Sequence, residues 1–110
     1  MKSKDTKIFI ANLIKEYRFF NETFFDNELP ERIDFGIVRI RHRADGITHE
    51  SPLKISLSWN MVPGSQLFKE TVLHEMVHID QIINNIEIGH GDFFQQCAVI
   101  YLEAGYNINS

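Results

Sequence analysis

The sequence predicts an α+β fold: an N-terminal helix, a small antiparallel sheet of about three strands, a helix carrying His74-Glu75-Met76-Val77-His78, and a C-terminal helix. Three observations predict it. Apolar residues recur at helical spacing over residues 5 to about 25. They alternate at strand spacing between Ile33 and Ser58. They return to helical spacing after Ser65. At 110 residues, 44% hydrophobic and with nine Phe, the chain suits a single domain spanning residues 1–110.

In the first helix, Ile10, Leu13, Ile14, Tyr17, Phe20 and Phe24 make one face. Phe9, Phe19 and Phe25 widen it, as a core face requires. Asp26-Asn27-Glu28-Leu29-Pro30 supplies turn chemistry and a breaker. A strand follows from Ile33 to Arg43. Its parity changes near Ile37 and Val38, where a bulge or strong twist would reconcile the halves. Arg39, Arg41 and Arg43 then share one side, a stripe that suits solvent or phosphates. Asp45-Gly46 reads as a hairpin turn. A return strand starts near Ile47 to His49. In Leu53 to Ser58, Leu53, Ile55 and Leu57 face the core, and Lys54, Ser56 and Ser58 face out. A polar outer face suits an edge strand, able to pair with an extended peptide. Ser65 is the expected cap of a helix running to about Ile83 and ending at Asn84-Asn85. A last helix runs from Asp92 to Glu103 or Ala104, with Phe94, Cys97, Ala98 and Tyr101 inward and Gly105 as its stop.

The net charge is −4 and the pI about 5.7, so strong nonspecific nucleic-acid binding is not indicated. The charge is uneven, +3 over residues 1–18 and −5 over residues 65–110. A single cysteine, Cys97, forbids an intrachain disulfide and a cysteine-ligated zinc ribbon. Asn12, Lys15 and Glu16 interrupt the apolar N-terminal run, which reads neither as a signal peptide nor as a membrane span. A cytoplasmic, soluble protein is the expectation.

Chemistry concentrates in H-E-x-x-H. Four residues apart on a helix, His74 and His78 share a face and can hold one Zn²⁺. Glu75 projects beside them, where a general base for the metal-activated water belongs. Polar residues in so apolar a helix are costly unless paired or metal-bound. Such a zinc usually takes three protein ligands. His90, between Gly89 and Gly91, is the first choice for the third, with Glu103 on the last helix as its rival. The longer H-E-x-x-H-x-x-G-x-x-H pattern does not apply, because Gln81 stands where its Gly would be. His42 and His49 read as surface or strand-end residues. Either, like Tyr101 or Tyr106, could polarise a substrate carbonyl.

With these residues in view, the chain resembles the SprT-like (Spartan-type) zinc metalloprotease domain over most of its length. Phe20-Asn21-x-x-Phe24-Phe25 with Glu28-Leu29-Pro30 looks like the family's opening. Ile55-Ser56-Leu57-Ser58 looks like its strand before the active-site helix. Thr71-Val72-Leu73-His74-Glu75-x-x-His78 is similar to its zinc helix, and His90-Gly91-x-x-Phe94 to its third-ligand motif. The resemblance implies zinc on His74, His78 and His90, Glu75 as catalytic base, and peptidase activity on protein substrates. In some members those substrates are crosslinked to DNA. Many relatives carry a cysteine-rich region after this domain. The single Cys and the acidic balance here weigh against the DNA-linked part of that function.

Three functions are thus expected in descending order. The first is a zinc-dependent metallopeptidase. The second is a zinc-stabilised module that binds nucleic acid or protein. The third is a metal-free fold with both histidines satisfied in the core.

Overall fold

A computed structural model describes residues 3–39 and 45–109. The elements in order are α1 (Ser3–Phe24), β1 (Asp34–Val38), β2 (Gly46–Glu50), β3 (Leu53–Ser58), α2 (Gln66–Ile83) and α3 (Asp92–Glu103). The α+β class and the succession of elements match the pattern of the sequence. In α1, Phe9, Leu13, Tyr17 and Phe20 are buried, one turn after another. Phe19 is 50% exposed, because its position falls on the opposite side of that stripe. The chain leaves the helix through Asp26 and Asn27, both at positive φ (51° and 60°). The buried Asn21 side chain then ties down the exit. Its amide nitrogen donates to the Leu29 carbonyl at 3.0 Å, and its oxygen accepts from the Leu29 N–H at 3.1 Å.

The sheet differs from the expected antiparallel one. Its order is β1-β3-β2, with β1 parallel to β3 and β2 antiparallel to β3. Asp45-Gly46 therefore does not join two paired strands, and Gly46 is itself the first residue of β2. The true hairpin is β2–β3, turned by Ser51-Pro52. β3 is the central strand, not an edge, so Ser56 is buried and Lys54 and Ser58 are half-buried between its neighbours. The strand expected over Ile33–Arg43 is shorter than predicted. It ends at Val38, with Arg39 exposed beyond it. Arg41, His42 and Arg43 lie outside the described residues.

α2 packs on β2 and β3, and α1 packs on α2 and β1. The core between them includes Ile55, Leu57, Phe68, Val72, Leu73, Met76, Val77 and Ile79. Each such side chain stabilises the fold by roughly 1.5–3 kcal/mol through its burial. Phe94, Ala98 and Tyr101 are the buried residues of α3, and Tyr101 meets Phe24 with ring centroids 4.9 Å apart. No helix of the described residues is long and apolar enough to cross a membrane.

Candidate metal centre

Helix α2 is capped by Ser65, whose hydroxyl accepts from the Phe68 N–H at 3.2 Å. Its regular spacing puts His74 and His78 one turn apart. Past Ile83 the chain reverses through Asn85 (φ 55°) and Gly89 (φ 139°) and delivers His90 to the same point. The three Nε2 atoms form a triangle: His74 to His78 3.3 Å, His74 to His90 3.2 Å, His78 to His90 3.3 Å. These residues could hold a metal ion. Three nitrogens at about 2.0–2.1 Å from a tetrahedral zinc lie roughly 3.3–3.4 Å from one another, so the triangle fits such an ion.

The tautomers agree with that fit. His74 Nδ1 lies 2.6 Å from the Ile108 carbonyl oxygen, which can only accept. His78 Nδ1 lies 2.8 Å from Gln81 Oε1, also an acceptor. Both Nδ1 atoms therefore carry the proton, and both Nε2 atoms turn a lone pair to the shared point. Burial pushes the pKa of each of these histidines below its ordinary value, which favours the neutral, ligating form. Phe94, in the first turn of α3, lies beneath all three rings, with centroids 4.8, 5.4 and 4.6 Å from His74, His78 and His90. Glu103, the rival third ligand, is exposed and lies outside this group.

Glu75 is buried beside the triangle, its Oε2 3.9 Å from His74 Nε2. Thr48 Oγ1 donates to its Oε1 at 2.8 Å, reaching across from β2. Burial pushes the Glu75 carboxyl above its ordinary value. The Thr48 hydrogen bond and the charges of His78 and His90 pull the other way. β2 comes this close because Gly46 has no side chain. A Cβ there would sit 2.9 Å from Thr71 Cγ2 and 3.1 Å from Glu75 Cγ. The Gly of Asp45-Gly46 thus serves a close approach to α2, where the sequence suggested a hairpin turn.

A cleft of about 510 Å³ opens over the site, with Gly46, Ile47 and Thr48 on one wall and Asn107 and Ile108 on another. The second wall belongs to a C-terminal strap that no sequence pattern announced. Glu70 Oε2 accepts from the Asn107 N–H at 2.6 Å, and Gln66 Nε2 donates to the Gly105 carbonyl at 2.9 Å. Ile108 is buried as an anchor. Of the other candidate residues, His49 is exposed on β2, Tyr101 is buried in the core, and Tyr106 packs against Phe20 and Phe24. None of the three lines the cleft.

No curated protein matches the chain. The model of the SprT-like family matches residues 13–109, a span that contains β1 to β3, the triangle of histidines, Glu75 and the strap, and the chain belongs to that family.

Proposed function

We propose that the protein is a zinc-dependent metallopeptidase that hydrolyses peptide bonds in protein substrates. The observation that carries this reading is the convergence of three imidazole Nε2 atoms within 3.2–3.3 Å beside a buried carboxylate, at the floor of an open cleft. His74, His78 and His90 would hold the metal. When bound, zinc supplies Lewis acidity and brings the pKa of a coordinated water to about 7. Glu75 takes a proton from the attacking water and passes it to the leaving amine. Thr48 fixes one carboxylate oxygen and leaves the other 3.9 Å from His74 Nε2. The substrate adds in extended form along β2. That strand pairs only with β3 among the described residues, and its Gly46–Thr48 segment borders the cleft. This replaces the Ile55–Ser58 edge expected from the sequence, since β3 is paired on both sides.

The test is a gel assay of protein cleavage by zinc-loaded protein, with and without single-stranded DNA, using Glu75→Gln as control. Cleavage that disappears in Glu75→Gln supports the peptidase. A requirement for DNA would extend the role to proteins bound or crosslinked to DNA. Turnover retained in Glu75→Gln would sink the mechanism. A lack of cleavage in every arm would move weight to the zinc-stabilised binding module.

A further inference from the structure

We infer that Gln81 is a positioning residue that couples the second and third histidines of the site, an inference that rests on the metal reading above. Gln81 is 1% exposed, so its amide must find its partners inside the protein. Its Oε1 accepts from His78 Nδ1 at 2.8 Å, which fixes the ring and its tautomer. The same oxygen accepts from the Gly89 N–H at 3.4 Å, and its Nε2 donates to the Gly89 carbonyl at 3.1 Å. One amide therefore grips the peptide groups immediately before His90 while it orients His78. Its backbone carbonyl accepts from the Ile86 N–H at 2.9 Å and holds the start of the same loop. Among the described residues no single side chain bonds both His74 and the loop before His90; the link there is indirect, Gln95 bonding the His90 carbonyl and the side chain of Asn109, next to Ile108. His74 is oriented from the other side of the site, by the Ile108 carbonyl.

Two sets of contacts on one side chain imply non-additivity. The experiment is zinc affinity, measured by competition with a chromophoric chelator, in Gln81→Met, His90→Ala and the double variant. Gln81→Met is expected to weaken zinc about 10–100-fold, the usual range for changes just outside a metal's ligands. In the His90→Ala background the same substitution costs clearly less, because the loop contact has no ligand left to position. Gln81→Glu guards against misfolding of the first variant. It keeps the acceptor for His78 and lacks the donor to Gly89, and its loss is expected to vanish when His90 is absent. Equal losses in both backgrounds, or an unchanged affinity in Gln81→Met, would overturn the coupling. Failure of the unmodified chain to bind zinc would overturn the metal reading itself, before any variant is compared.

Discussion

The helix-borne and loop-borne parts of the candidate metal centre are built in different ways. His74 and His78 sit on α2, a helix with Val72, Leu73, Met76, Val77 and Ile79 fully buried around them. The helix period sets their separation, and a hydrogen bond at Nδ1 sets the rotation of each ring. His90 is exposed and arrives on a loop with two left-handed residues, held by the Gln81 clamp, by Gln95 Nε2 on its carbonyl at 3.1 Å, and by Phe94 beneath its ring. One part is fixed by packing over a whole helix. The other is fixed by a few polar contacts, so it is the part that small changes can loosen.

The largest effect should come from the three histidines themselves. His74→Ala or His78→Ala is expected to lower zinc affinity by more than the ~10–100-fold typical of outer-shell changes. His90→Ala should leave a weaker but measurable two-histidine site. Chelator competition reads both, and a larger loss for His90→Ala than for the helix pair would reverse the comparison.

Glu75→Gln removes the proposed base and should lower kcat/KM about 10²–10⁴-fold while zinc affinity stays unchanged. The two glycines of the site then separate steric from backbone demands. Gly46→Ala drives a methyl group toward Thr71 and Glu75 and should destabilise the fold by about 1–3 kcal/mol. Gly89→Ala meets open space but a φ of 139°. Its cost, also about 1–3 kcal/mol of local strain, should appear as weakened zinc binding more than as a lowered melting temperature. Melting curves in chelator, set beside zinc affinities, distinguish the two.

How much of this was legible in the sequence follows the same division. His74, Glu75 and His78 lie within five residues, and one helix explains their meeting. Asn85, Gly89 and His90 were readable because a reversal needs residues that accept positive φ. The family resemblance rests on these motifs too. Thr48, Gln81 and the Ile108 carbonyl could not be read, because each acts through a tertiary contact. Ile108 contributes a backbone oxygen, which carries no residue signature. The place of β3 in the sheet departs from the expected edge for a related reason. The polar positions of Leu53–Ser58 suggested a solvent-facing edge, yet β1 and β2 flank the strand on both sides.

The smallest effect concerns pH in the metal-free protein. Burial lowers the folded pKa of His74 and His78 below the ordinary 6.5. Below that value the unfolded chain takes up protons that the folded chain refuses, so stability present above about pH 6.5 is lost on acidification. Glu75 has the opposite sign, because burial raises its folded pKa above the ordinary 4.5. Its contribution is fully present below that value and is lost as pH rises through the folded pKa. Glu75→Gln removes this opposing contribution. In chelator, its melting temperature should therefore fall more steeply on acidification than that of the unmodified protein.

The most direct measurement is a calorimetric titration of zinc into chelator-stripped protein and into His90→Ala. One tight equivalent per chain, clearly weakened in His90→Ala, is the expected result. No binding, or binding of equal affinity in both proteins, would contradict a single site built from two helix-borne histidines and one from the loop.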